Sequence, residues 1–382
     1  MDQILEKDRQ GASAQSQELL KIAVAELRER FDSQAGSFAG LTEPQESGAL
    51  LFLLEYARRT GDGWARAMAE GTLGKRNWAT GPMLAYAHLE AYAQTGRPAC
   101  REAACNMLDG ALAELRLFSG CFAQPGDAMI STAWNAQMIA GLSKAYRVLG
   151  ELRYLRASEK TWMFMKSRLT RHNGRLWRRW QDQSPLEEGR LADYGLCCWA
   201  LVELYEANFS ISCLREAEAV ADRMADIFRD PRGGFYDVSD ASGCGAAGLA
   251  LAKLARLTAL ERYRAMAEDQ LTWLAGAGKN ELDGLGLLGM VEAMWPRQEL
   301  VCVSAKTPPN WLALVGEEYR LAALAKTPDN SWGLENVAPH VQKFPVPESG
   351  DRLYLCRDGV CESAIDGLLQ LYQRLAPEGA AV

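Results

Sequence analysis

Three histidines in 382 residues, no long apolar run and no excess of basic charge set the first limits on this chain. His88, His172 and His340 are too few and too scattered to announce an imidazole metal site, so no metal and no cofactor is expected. The net charge is −7, whereas a nucleic acid or an anionic membrane needs a basic surface, so neither is expected as a partner. No stretch approaches the roughly 18 apolar residues of a membrane span. The opening MDQILEKDRQ lacks the charged-then-apolar order of a signal peptide, and a cytoplasmic location is the expectation. The ten cysteines include no CxxC spacing. Cys197 and Cys198, adjacent in an apolar run, read as reduced packing residues. Cys356 and Cys361, in LCRDGVC, are the one close pair, at a spacing that permits contact across a turn and a redox role.

What the chain has in quantity is helical periodicity. Hydrophobic residues make up 48% of it and charged residues 24%, enough for a large core. Met138, Ile139, Leu142, Ala145, Tyr146 and Leu149 fall on one helical face, while the run from Leu191 to Phe209 is apolar almost all round, with Glu203 and Glu206 the exceptions. Half-exposed and sheathed helices in alternation imply an outer ring wrapped round an inner one. The unit recurs: a buried helix, a short turn (TGDGW, TGRPAC, LGELRYL, NFSISCL, LTALERY), an amphipathic helix, then a short extended piece such as Gly36-Ser37-Phe38, Gly120-Cys121-Phe122, Gly174-Arg175-Leu176-Trp177 or Gly233-Gly234-Phe235. A repeat of roughly 50 residues that cannot bury its own apolar face needs its neighbours to do so.

Helices are expected at about 15–32, 46–60, 63–74, 80–95, 98–117, 131–149, 152–169, 190–208, 212–229, 243–257, 260–276 and 282–295. Twelve helices make six hairpins, and six hairpins closed in a ring make an all-α (α/α)6 barrel over residues 15–296, after a flexible N-terminus at 1–14. Pro296 ends the last helix. Residues 297–382 read as a small α/β extension packed on the barrel, with strands near 300–303, 321–325 and 353–356 and helices near 311–320 and 362–375.

The pieces TAWNAQMIAGLSKAYRVLG, LADYGLCCWALVELYEANF, FRDPRGGFYD, ELRERFDSQAGSF, LLFLLEYARRTGD and YLCRDGVC, in that register from Leu19 to Cys361, resemble the bacterial YyaL proteins and the spermatogenesis-associated thioredoxin-domain proteins of animals. The resemblance implies a barrel akin to six-hairpin glycosidases and N-acylglucosamine 2-epimerases, and a role in carbohydrate metabolism. The residues before Leu19 are too few for the family's thioredoxin-like domain, so a separately encoded thioredoxin-like partner is implied. The family's long glycine-rich loop is replaced by GKRNWATGP, with Ala85, Tyr86 and Ala87 at the matching inner-helix positions; its Trp-Asn-Gly is Trp134-Asn135-Ala136 here, and its Pro-Ser-Gly-Asn is Ala241-Ser242-Gly243-Cys244. Trp134, Asn135, Asp193 and Tyr194 survive from a polar site otherwise dismantled or refitted.

In such a barrel the N-termini of the inner helices, with their free N–H groups and positive dipole ends, form a funnel suited to a hydroxyl-rich or anionic ligand. Expected there are Trp78, Tyr86, Asp127, Trp134 and Asn135. The hairpin residues Trp177, Arg179 and Trp180 join them, with Asp193, Tyr194, Tyr236, Asp237 and Asp283. Aromatic faces beside charged groups suit a sugar. Glycoside hydrolysis needs two facing carboxyls, which Asp127, Asp193 and Asp237 could supply, and epimerisation needs a base, for which His88 is the candidate. Plainer roles compete with these: Asp193 as a complement to its helix dipole, Asn135 as a partner for backbone groups, and the RLWRRW aromatics as rim packing. The chain has neither the Cys/Cys/His set of a lanthionine-type zinc cyclase nor the DxDD run of a terpene cyclase. The loss of the loops favours a degenerate barrel that binds a small polar ligand, a sugar among the candidates, or acts as a scaffold. The retained Trp134-Asn135 and Asp193-Tyr194 pairs favour the alternative, a sugar isomerase, epimerase or glycoside hydrolase.

Overall fold

The computed structural model describes residues 2–75, 81–127, 129–231, 233–239, 243–277, 283–295 and 297–375, with side chains from Ser16 onward. After α1 (Asp2–Arg30) the helices come in pairs: α2 (Glu43–Thr60) with α3 (Gly63–Leu73), and α4 (Pro82–Thr95) with α5 (Pro98–Glu114). There follow α6 (Thr132–Leu149) with α7 (Leu152–Phe164), α8 (Leu191–Asn208) with α9 (Ile211–Phe228), and α10 (Gly243–Thr258) with α11 (Glu261–Ala277). The next helix, α12 (Gly284–Met294), packs back onto α1 and makes the sixth pair. Each even-numbered helix touches the next, α12 returning to α2, so the inner ring is closed and the odd-numbered helices sheathe it. This is the (α/α)6 barrel that the alternation of sheathed and half-exposed helices implies. Helix α8 is buried along most of its length, while α9 buries only the stripe of Cys213, Leu214, Ala217, Val220, Ala221 and Met224. α1 starts earlier than the expected residue 15, because the preceding stretch has no proline and is rich in good helix formers.

The turns at the two ends of the barrel differ in kind. Five inner helices end on a left-handed residue: Gly61, Gly96 and Gly150 at φ 76°, 67° and 73°, then Phe209 and Ala259 at φ 52° and 54°. Glycine adopts that conformation freely, and a residue with a Cβ does so at a cost of about 1 kcal/mol or more.

At the opposite end the chain returns from outer to inner helix through the extended pieces, and these share one device. The end of the outer helix bridges a buried residue about six positions on: Arg116 to Phe122, Thr170 to Leu176 and Arg229 to Phe235. In the first return, β1 (Phe31–Asp32) pairs with β2 (Ser37–Phe38), opposing Phe31 to Phe38. A polar side chain then accepts the N–H of that buried residue. Phe38 donates to Glu46 at 3.2 Å, Phe122 to Asn135 at 2.7 Å, Leu176 to Tyr194 at 2.8 Å and Phe235 to Gln270 at 2.5 Å. The fourth return carries the hairpin of β4 (Trp177–Gln181) and β5 (Ser184–Glu188), to which β3 (Ile130–Ser131) of the third return adds, all antiparallel.

Beyond Arg297, β6 (Gln298–Ser304), α13 (Leu312–Glu318) and β7 (Ala322–Lys326) form a parallel strand–helix–strand unit. α14 (Ser331–Val337) follows; β8 (Asp351–Arg357) adds antiparallel to the other side of β6, and β9 (Val360–Cys361) turns back on β8. β6 is buried throughout Leu300–Val303, and α13 and β7 lie against α6, α8 and α10 at the C-terminal end of the inner ring. The final helix, α15 (Leu368–Leu375), begins later than the expected residue 362, because Ile365 first pairs with Leu353 alongside β8 and Gly367 turns the chain at φ 90°. Cys356 and Cys361 face each other in the β8–β9 register and are joined by a disulfide, while Cys100, Cys105, Cys121, Cys197, Cys198, Cys213 and Cys302 are free thiols.

Candidate functional site: a charged chamber at the C-terminal end of the inner ring

The residues expected to line a funnel gather at the N-terminal end of the inner helices, with exceptions. Trp78 lies outside the described residues. Asn135 is fully buried and holds the chain at Phe122 from both sides, accepting its N–H and donating to its carbonyl at 2.9 Å. Tyr194 performs the matching task for Leu176. Asp193, 3% exposed, accepts the N–H of Arg190 at 2.9 Å within a capping box at the start of α8. Asp237 accepts from the next amide, that of Leu191, at 3.3 Å, so the two carboxyls cap adjacent amides at one helix start. Burial pushes the Asp237 pKa up, but the Ser239 hydroxyl and the Ser239 and Leu191 amides more than offset it and leave it lowered. Asp127 is exposed and caps the amide of Met129, and Asp283 caps α12 through Leu285 and Gly286.

The aromatics are engaged as well. Arg171 lies over Trp177 at 3.8 Å, Trp180 meets Phe164 edge-on at 6.1 Å, and Tyr236 packs on Trp273 at 5.4 Å. Arg179 pairs with Glu187 at 3.3 Å. Trp134 stands apart, since its buried Nε1 has no hydrogen-bond partner among the described residues. His88 sits buried on α4 with neither ring nitrogen partnered among the described residues, and burial lowers its pKa to about 4. At this end the first turns of the inner helices press on each other. A Cβ on Gly284 would lie 2.2 Å from the Gly48 carbonyl carbon, and one on Gly243 would lie 2.4 Å from the Ala192 nitrogen. Close approach of this kind brings α12 against α2 and α10 against α8.

At the other end of the ring the helices enclose a cavity of about 70 Å³, roofed by α13 and the start of β7. Of the residues anticipated from sequence only Tyr86 lines it. Its walls carry charges that alternate in sign round the ring. Glu90 on α4 is followed by Lys144 and Arg147 on α6, and Glu206 on α8, with Glu203 buried behind it, by Lys253 and Arg256 on α10. Glu292 on α12 and then Arg58 and Arg59, with Glu55, on α2 complete the circuit. From the roof, Glu317 and Arg320 reach down between them.

A charge taken into a barrel interior costs several kcal/mol unless it is paired, and here the pairing is dense. Lys144 is 1% exposed and donates to Glu90 at 2.7 Å and to Glu317. Arg147 reaches Glu206 at 3.0 Å, Glu317 at 3.1 Å, and Glu203. Glu203 also accepts from Lys253 and from the Trp199 indole, each at 2.8 Å. Arg256 binds Glu292, and Arg320 binds Glu317 at 2.6 Å and Glu90. Burial alone would raise the pKa of Glu203, but Arg147, Lys253 and Lys144 hold it down at about 2. Against its own burial, Glu292 is held at about 2 by Arg256, Lys253 and Arg59. For Glu206 burial wins over Arg147 and Lys253, and its pKa is raised. Tyr86, between the Lys144 ammonium at 5.1 Å and the Trp199 ring at 5.4 Å, is driven upward by burial and stays a hydroxyl donor.

This chamber has a sequence signal that the search for funnel residues passes over. Four inner helices carry two charges three residues apart near their C-terminal ends: Glu55/Arg58, Lys144/Arg147, Glu203/Glu206 and Lys253/Arg256. That spacing places both on one helical face. Charges repeated at one depth of sheathed helices must meet each other, and Glu203 and Glu206 are the visible trace of the set. Among the described residues no group of three or more His, Cys, Asp or Glu could hold a metal ion, and no helix is long and apolar enough to cross a membrane.

No protein-family model matches the chain, and no curated protein matches it. Solved structures do. The chain is similar to the Lin0763 protein from Listeria innocua, with 18% identity and a TM-score of 0.62 over 73% of this chain and 96% of that one. It is similar to the alpha-1,6-mannanase GH76A of Salegentibacter sp. HEL1_6, solved with alpha-1,6-mannotetrose (15%, TM-score 0.59, 72% and 98% covered). A third likeness is to the unsaturated glucuronyl hydrolase of Bacillus sp. GL1, responsible for the degradation of glycosaminoglycan (14%, TM-score 0.59, 75% and 95% covered). Identities this low establish the fold alone: the chain has the barrel of six-hairpin glycosidase-like proteins.

Proposed function

We propose that this chain is a binding module for a small polar ligand, and that the ligand sits in the charged chamber beneath the α/β extension. The observation that carries this reading is the contrast between the two ends. The N-terminal polar residues serve a repeated structural task, seen in the parallel roles of Asn135 and Tyr194, while the charged groups of the other end surround a space. A cavity of about 70 Å³ has room for about five waters, which suits a small metabolite or head group and not an oligosaccharide. Kinship with the YyaL proteins, a cytoplasmic setting and a thioredoxin-like partner are parts of the same proposal that rest on sequence alone.

A second reading, glycoside hydrolysis or sugar isomerisation at the N-terminal end, has two observations in its favour. Asp193 and Asp237 cap adjacent amides at the start of α8, and the Trp134 indole has no hydrogen-bond partner among the described residues. Against it, Asp237 is lowered where a general acid needs to be raised. A thermal-shift panel of neutral sugars, sugar acids, sugar phosphates and small metabolites, run beside glycosidase assays, separates the two. Ligand at a hundred times its Kd adds about 2.7 kcal/mol of apparent stability. A hit that persists in Asp193→Asn, with no turnover, supports chamber binding; turnover lost in Asp193→Asn and Asp237→Asn overturns it.

A further inference from the structure

The chamber's own charge balance identifies the ligand more closely, on the reading just proposed. Seven cations line it, from Arg58 and Arg59 on α2 to Arg320 in the roof, against five carboxylates, Glu55, Glu90, Glu206, Glu292 and Glu317. Glu203, buried behind the wall, reduces the excess without cancelling it. Five of the seven cations are arginines, whose planar forks suit oxyanions. Among the described residues their pairing is also incomplete. Arg147, 6% exposed, uses its two Nη atoms on Glu203, Glu206 and Glu317, and its buried Nε has no partner among the described residues. The same holds of the Arg256 Nε beside Glu292. Both side chains line the chamber, so the positive excess faces the cavity.

We infer that the charged chamber is a binding site for a small oxyanion, a carboxylate or phosphate of about five heavy atoms, received by the Arg147 and Arg256 side chains in the cavity that Tyr86 also lines. A neutral polyol would leave the excess positive charge uncompensated, and a small ammonium would add to it.

Calorimetric titration of the full chain with inorganic phosphate, glycolate, ethylene glycol and ethanolammonium tests this, all four probes being small enough for the cavity. Phosphate binding alone assigns a phosphate site, glycolate binding alone a carboxylate site, and either supports the inference provided that ethylene glycol and ethanolammonium stay silent. Arg147→Gln should weaken the bound anion by about tenfold or more, as loss of a charged hydrogen bond does. Should Arg147→Gln fail to fold, Arg58→Gln, which alters a quarter-exposed side chain paired within its own helix, carries the test with a loss of about fivefold. Unchanged anion affinity in the folded variants overturns the inference. Binding of ethylene glycol or ethanolammonium in place of the anions, sensitive to the same variants, overturns it while leaving chamber binding intact. Silence of all four probes overturns it as well, and the proposed function then rests on the wider panel.

Discussion

Glu317→Gln is the sharpest perturbation of the roof. Glu317 is 4% exposed, accepts from Lys144, and stands 3.1 Å from Arg147 and 2.6 Å from Arg320, so one carboxylate ties α13 to two cations of α6 and to the turn that follows α13. Glutamine keeps the volume and removes the charge. Removing one partner of a buried pair costs about 3–5 kcal/mol. Lys144 and Arg320 retain Glu90, and Arg147 retains Glu203 and Glu206, so the low end, about 3 kcal/mol, applies here. Unfolding entropy near 2 cal/mol/K per residue amounts to about 0.8 kcal/mol/K for this chain, so Tm should fall by about 4 °C. Lys144→Met combined with Glu317→Leu removes one charge of each sign, and should recover at least half of the loss in a double-mutant cycle. Differential scanning calorimetry of wild type, the single variants and the double variant reads this directly. A Tm change below about 1 °C for Glu317→Gln, or additive effects in the cycle, would refute the idea that the ion network locks the extension onto the barrel.

Acid should unfold the protein through the same groups. Glu203 and Glu292, depressed to about 2 from 4.5, contribute stability that is complete above the unfolded value and disappears as pH falls from about 5 to 2, on the order of 3 kcal/mol each. His88, lowered to about 4, starts the decline below about pH 6.5, because the unfolded chain takes up that proton first. Glu206, raised, works in the opposite sense and blunts the fall. Urea unfolding at pH 7, 5 and 3 should show progressive loss, and a flat profile would contradict the pairing described. Asn135→Leu should cost about 2–4 kcal/mol by stranding the Phe122 N–H and carbonyl, measured by the same unfolding curves. Gly284→Ala, which places a methyl against Gly48, should cost about 1–3 kcal/mol or more and show near-wild-type helicity by circular dichroism.

The barrel was legible because its signal is carried by many residues at once. The sheathed α8 and the striped α9 differ in periodicity over 18 residues each, and the glycines after α2, α4 and α6 mark the turns. Motifs proved less legible. Asn135 and Tyr194 stand out in sequence as polar residues at helix starts, but the backbone N–H groups they hold, at Phe122 and Leu176, are 13 and 18 residues away. Only the folded return loop shows that the two residues do the same work. The chamber was hidden for the opposite reason. Lys144 and Glu317 are separated by 173 residues, and each alone reads as an ordinary surface charge. The repeat of paired charges at one depth of four inner helices was available, though reading it required asking where a charge in a sheathed helix could go.

Hydrogen–deuterium exchange of the full chain, with and without the strongest ligand of the panel, locates the site. The account predicts new protection in α13 and in the last turns of α4, α6, α8 and α10, with the first turn of α8 and the β4–β5 hairpin unchanged. Protection confined to the start of α8, the β4–β5 hairpin and Trp134 would contradict it and return the site to the N-terminal end of the ring.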